Sequence, residues 1–210
     1  MGCDIHFYVE KNVDGKWISA DKWIVDKYMD KKVEQELYDG RNYSLFAILA
    51  DVRNGYGFAG CKTGEGFKPI SSPRGLPVDM SQEVGNRAEM WGLDGHSHSW
   101  LTVEELDSYD WNQKTQKCGW VGAEDFKEWK ENGIPSSWCG GVSGPDIKRL
   151  SNEIMNQAII SGADTKGMYT EVEWEMVYRD CVDVFLSDTM PKLRAFGDPD
   201  KVRIVFWFDN

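Results

Sequence analysis

Histidine is scarce in this chain of 210 residues: only His6, His96 and His98 occur. Positive charge is short as well, with 24 Lys and Arg against 35 Asp and Glu and a formal net charge of −11. A field of that sign repels polyanions, so binding to long nucleic acid or to an anionic membrane is not expected. No run approaches the ~18 consecutive apolar residues of a membrane span. The N-terminus also shows no basic segment followed by an apolar one. Five cysteines, Cys3, Cys61, Cys118, Cys139 and Cys181, are odd in number and lack the C-x-x-C spacing of a zinc clip. A reduced, cytoplasmic setting is expected.

What is present suffices for a folded chain. Hydrophobic residues make up 41% and aromatics 13%, including 10 Trp, enough to offset the entropy of ordering. The expected organisation is a single domain over 1–210, with the Trp- and Gly-rich segment 108–142 as a candidate insertion. Tryptophans in irregular sequence, Trp100 among them, suit a pocket or a subunit interface, which leaves room for a homo-oligomer.

In "CDIHFYVEK", Ile5, Phe7 and Val9 alternate with Asp4, His6, Tyr8 and Glu10, the pattern of a strand with one buried face. Asp14-Gly15 predicts a two-residue hairpin, with residues 16–20 returning antiparallel. "NYSLFAILADVRNG" predicts a helix stopping at Asn54-Gly55. Residues 55–77, rich in glycine and proline, read as a long irregular loop. Thr102 and Glu105 form a capping box that predicts a helix from about residue 103. Further helices are expected over 123–131, from Pro145 to residue 159, and from residue 171 until Pro191 ends or kinks it. "KVRIVFWFDN" reads as a central strand pairing beside the first. The fold class expected is α+β, with a mixed or antiparallel sheet that includes the N-terminal hairpin and the C-terminal strand.

The three histidines fall in two short motifs. D-x-H on a strand sets Asp4 and His6 on one face, roughly 6–7 Å apart at Cα. H-x-H in extended chain does the same for His96 and His98, and Asp94 adds an oxygen. Such nitrogen and oxygen donors suit Zn, Mn, Fe or Ni. The metal set expected is therefore Asp4, His6, His96 and His98, with Asp94, His96 and His98 as catalytic residues. A structural reading stands beside it, in which each imidazole only satisfies local hydrogen bonds.

"CDIH" and "DGHSH" resemble the first and last motifs of the calcineurin-like metallophosphoesterases, which implies a dinuclear centre that activates water and clamps phosphate. The chain departs from that pattern at "GNRAE", where Arg87 stands in place of a histidine, and in lacking a βαβ rhythm. The resemblance is thus one of ligands. Across nearly the whole chain, "MGCDIHFYVE", "GRNYSLFAILADVRNG", "GFKPISSPRGLP", "DGHSHSWLT" and "VFWFDN" resemble a family of uncharacterised proteins carried by bacteriophages and prophages. That implies a protein of the infected bacterial cytoplasm, with replication support, counter-defence and virion roles all open.

The glycine-rich loop mixes flexible backbone, aromatic faces and cations. Arg41, Arg53, Lys62 and Arg74 suit phosphate oxygens, and Tyr56, Phe58 and Trp100 suit a base or sugar. No phosphate-loop motif is present. Were the loop to fold over the helix start at residue 103, the histidine pair and the cations would meet at an anion-favouring terminus. Three functions follow: metal-assisted hydrolysis of a small phosphorylated ligand or nucleotide, sequestration of such a ligand without turnover, and a structural or interaction role.

Overall fold

The computed structural model describes residues 2–27 and 30–209. In chain order the elements are β1 (Asp4–Val13), β2 (Lys16–Ser19), β3 (Trp23–Asp26), β4 (Asp30–Val33), α1 (Tyr43–Ala50), α2 (Gln82–Trp91), β5 (His96–Thr102) and α3 (Val103–Ser108). They continue with β6 (Lys114–Val121), α4 (Ala123–Asn132), β7 (Lys148–Leu150), α5 (Asn152–Ile160), β8 (Met168–Val177), α6 (Tyr178–Cys181), α7 (Met190–Arg194) and β9 (Val202–Asp209). The fold is α+β, as strand signals at both ends of the chain with helix signals between them predict.

A four-stranded sheet in the order β2-β1-β9-β5 forms the centre. Asp14 and Gly15 both adopt positive φ, 52° and 83°, as a tight hairpin matching strand twist requires, and Val13 pairs with Lys16 across it. The last strand lies antiparallel to the first, with Phe7 opposite Phe206. Its run "VRIVFWF" is buried throughout because elements cover both sides of it.

The same cover corrects the expectation of one buried face on β1. Ile5, Phe7 and Val9 join Leu45, Phe46, Ile48 and Leu49 of α1 on one side. Tyr8 packs on the other side with Val205 and Trp207 of β9 and with Val84 and Ala88 of α2. Glu10 is fully buried there too, and is satisfied by Arg203 at 2.8 Å and by the Ser81 amide. Helix α1 is apolar all round because it is enclosed; it stops at Asp51, which takes φ 60° ahead of the expected Asn54-Gly55. Helix α2 was not anticipated, although Ser81 caps it and Val84, Ala88 and Trp91 recur at helical spacing.

A second sheet, β6-β8-β7, holds two further corrections. The helix expected from residue 171 is β8. Val172 and Trp174 point inward while Glu171, Glu173 and Glu175 point to water, so a period of two overrides the weaker helical stripe. The helix expected from Pro145 starts only at Asn152, capped by Ser151, because Lys148–Leu150 pair parallel with β8. Segment 108–142 supplies β6 and α4, and β6 pairs with β8 along its whole length. Pro191 sits in the first turn of α7, where its missing amide donor costs no helical hydrogen bond, just after a π-helical turn over Phe185–Thr189. No helix among the described residues is long and apolar enough to cross a membrane.

Candidate functional site

The histidines occupy β1 and β5, the two strands that flank β9, and do not share one site. His6 on β1 stands opposite Trp207 of β9. Its ring packs on Trp91 at 3.9 Å between centroids, and its Nε2 lies 3.3 Å from Asp209 Oδ2. On β5 the pairing slips: His96 faces Phe208 and Ser99 faces Phe206, so three steps on one strand match two on the other. The extra residue is Ser97, at φ 53°. Such a bulge inverts the alternation. His96 consequently approaches Phe208 on the α1 side, at 6.1 Å, whereas His98 approaches Trp207 on the α2 side, at 5.6 Å.

The expected quartet therefore does not fit one metal ion. Asp4 is held by Arg41 through two short hydrogen bonds, and Asp94 is exposed in the turn after α2. Among the described residues, no group of three or more His, Cys, Asp or Glu side chains is placed to hold a metal. Burial pushes His6 and His98 below the usual imidazole range, so both are neutral packing groups near pH 7. The expected meeting of the histidines with a helix start also fails, since the rest of β5 separates His98 from α3. Three of the expected ligand residues, by contrast, are brought together: Arg41, Arg53 and Tyr56.

They line a cavity of about 250 Å³. One wall is the first turn of α1, where Asn42, Tyr43 and Ser44 present a helix N-terminus. A second is the loop carrying Gly55, Tyr56, Gly57 and Thr63, and the third consists of Phe67, Lys117 and Trp138. The loop is fixed to β6 by a bridge between Gly64 and Lys117 and by the Cys118 amide donating to the Thr63 carbonyl at 3.0 Å. Only glycine fits at Gly64: φ is 147°, and a Cβ would sit 2.2 Å from the Gln116 carbonyl oxygen. Two segments far apart in sequence thus meet at the cavity.

Its charge runs against that of the chain. Arg41, Arg53 and Lys117 line it, and no Asp, Glu, His or Cys does so among the described residues. Arg41 is shared with Asp4, at 2.7 and 2.6 Å, which holds the Asp4 carboxyl below the ordinary range. Arg53 donates to the Gly2 carbonyl at 3.2 Å and covers the Tyr43 ring at 5.1 Å. Lys117 is only 8% exposed and has no hydrogen bond or ion pair among the described residues. Its ammonium rests over Phe67 at 5.2 Å and Trp138 at 5.6 Å. Cation–π contact offsets part of the desolvation, and the remaining burial pushes its pKa down.

The other expected ligand residues lie elsewhere. Phe58 and Lys62 are outside the cavity wall, and Phe58 is exposed. Arg74 and Trp100 line a separate cleft with Trp17 and Arg203, where Arg74 pairs with Glu105. A larger cleft of about 630 Å³ has Glu34, Glu36, Asp39 and Asp188 on its wall beside Lys32 and Lys192, and its acidic majority disfavours an anion. Trp138 is one of the tryptophans in irregular sequence expected to suit a pocket, whereas Lys117 was missed from sequence. The one local signal for Lys117 is a lysine in phase with the inward residues Thr115 and Val121 of an alternating strand. No family model, no curated protein and no solved structure matches this chain.

Proposed function

We propose that the chain binds a small phosphorylated ligand in the cavity between α1, the 55–67 loop and β6, and holds it without hydrolysis. The observation that carries this reading is Lys117, a buried cation lacking a counter-ion among the described residues and facing a space shared with two arginines. Burying a charge is costly unless something pairs with it. A phosphate would supply the missing anion, with Arg41, Arg53 and the α1 terminus adding donors. Tyr56 and Trp138, both partly exposed at the cavity, offer faces for a flat organic group.

Holding is favoured over cleavage because the wall has no carboxylate, imidazole or thiol among the described residues to activate a nucleophile. The volume is just under the ~300 Å³ at which small-molecule pockets begin, which suits a mononucleotide or sugar phosphate better than anything larger. In the phage setting that the sequence resemblance implies, removing a phosphorylated signal from circulation would serve counter-defence.

Calorimetric titration with inorganic phosphate and AMP tests the reading. Binding of either, weakened about 10- to 100-fold in Lys117→Gln as expected for one lost charge-assisted contact, together with recovery of intact AMP after denaturation, supports it. Failure of both probes to bind or to raise Tm would end it.

A further inference from the structure

Anion binding alone leaves one feature of the cavity unexplained. A phosphate is best gripped by arginine, whose fork donates two parallel hydrogen bonds and whose charge is permanent. Arg53, anchored by the Gly2 carbonyl, and Arg41, whose fork is shared with Asp4, already supply that permanent charge. The third cation is instead a lysine, and it is the most enclosed of the three. Its Nζ is set between the faces of Phe67 and Trp138, with no carboxylate against it among the described residues. What lysine offers in such a place, and arginine does not, is an amine that can lose its proton and act as a nucleophile.

We propose that Lys117 is a covalent anchor and that the cavity takes a phosphorylated aldehyde or ketone, captured reversibly as an imine on Nζ. This rests on the reading of the cavity as a phosphate site and narrows its ligand class. Arg41 and Arg53 hold the phosphate, which brings the carbonyl at the other end of a small molecule to Lys117. The neutral amine attacks the carbonyl carbon, the C=O π pair moves to oxygen, and oxygen takes up a proton, giving a carbinolamine. The C–O bond then breaks, the oxygen leaves as water with the nitrogen proton, and the C=N bond forms. Amine plus carbonyl yields imine plus water, with no redox change. Burial that lowers the Lys117 pKa enlarges the amine fraction available near neutral pH. The hydroxyl-bearing Ser44 and Tyr56 line the same cavity and can pass the proton.

The probe is pyridoxal 5′-phosphate, compared with pyridoxal, which lacks the phosphate. Full-length protein is incubated with each, reduced with borohydride, digested and mapped by mass spectrometry. In parallel, inorganic phosphate is titrated as competitor and binding is followed by thermal shift. The expected result is a reduced adduct on Lys117 favoured about tenfold or more over the other lysines, an apparent selectivity set by the phosphate contacts. It should fall with pyridoxal, fall with phosphate, and vanish from that peptide in Lys117→Arg. Competitive binding of phosphate and probe without an adduct on Lys117 would overturn the imine and leave the phosphate site standing. Adducts scattered over surface lysines and indifferent to phosphate would overturn it too. Absence of any phosphate effect, on Tm or on labelling, would remove both readings. The wild-type map carries the result whether or not the arginine variant folds.

Discussion

The Lys117 ammonium lies 5.2 Å from the centre of the Phe67 ring, a buried charge facing a hydrocarbon surface. Such an arrangement costs stability in the empty protein. Replacing Lys117 with methionine keeps the length of the chain and removes the charge, so Lys117→Met should stabilise the unliganded protein by about 1–2 kcal/mol while weakening phosphate binding about 10- to 100-fold. Chemical denaturation and titration check the two halves. The pH dependence has a definite sign: the folded pKa is below the unfolded value, so the wild type carries the penalty at neutral pH and sheds it as pH rises toward 10.5. The stability gap between variant and wild type should therefore narrow on going from pH 7 to pH 10.

Asp4 and the ligand compete for the same guanidinium. The Asp4–Arg41 pair is about half exposed, so it contributes little to stability. Its removal matters more for binding. Asp4→Asn should tighten phosphate binding about 3- to 10-fold by freeing Arg41, and Arg41→Ala should weaken it about tenfold. Both Kd values come from one calorimetric series, and equal affinity across Asp4→Asn, Arg41→Ala and wild type would detach Arg41 from the site.

Legibility in the sequence followed the range of the interactions. Asp14-Gly15 and the Thr102–Glu105 box were readable because both act within four residues, and both are present. Strand β8 was misread because Trp174, Val177 and Cys181 satisfy a helical spacing; the three outward glutamates at alternate positions were the better signal. The H-x-H motif failed for a subtler reason. Facing depends on the parity of the strand, and one extra residue at Ser97, invisible locally, reverses it. Arg41, Arg53 and Tyr56 could be grouped because they flank one helix and one loop. Lys117 and Trp138 could not, since only the pairing of Gly64 with β6 brings that strand to the cavity.

The histidines on the α2 side should govern stability, not ligand affinity. His6→Ala removes a ring packed on Trp91 and the contact with Asp209, a loss of about 1–3 kcal/mol for a largely buried aromatic group. Phosphate affinity should stay within experimental error, because His6 is not on the cavity wall. The folded pKa of His6 is depressed, so its contribution is complete above the unfolded value near 6.5 and declines as pH falls below it. A His6→Ala variant that lost phosphate binding while remaining folded would place the site elsewhere.

Asp21 provides the sharpest pH test of the fold. Its carboxyl accepts the Val9 amide at 2.8 Å in the corner where β2 leaves the sheet, and burial, with Glu36 and Glu10 nearby, pushes its pKa up to about 7. The folded state therefore binds the Asp21 proton more tightly than the unfolded chain does. The stability this contributes is fully present below 3.8 and is lost as pH rises through about 7. Above pH 7 the charged carboxylate remains in a site that disfavours it. Asparagine keeps an oxygen for the Val9 amide and carries no charge, so Asp21→Asn should be more stable than wild type at pH 8 by about 1–3 kcal/mol. Near pH 4 the two should be alike. Urea midpoints across pH 4–8 measure the gap; one that stays constant over this range would mean that Asp21 titrates normally and that the corner is open to water.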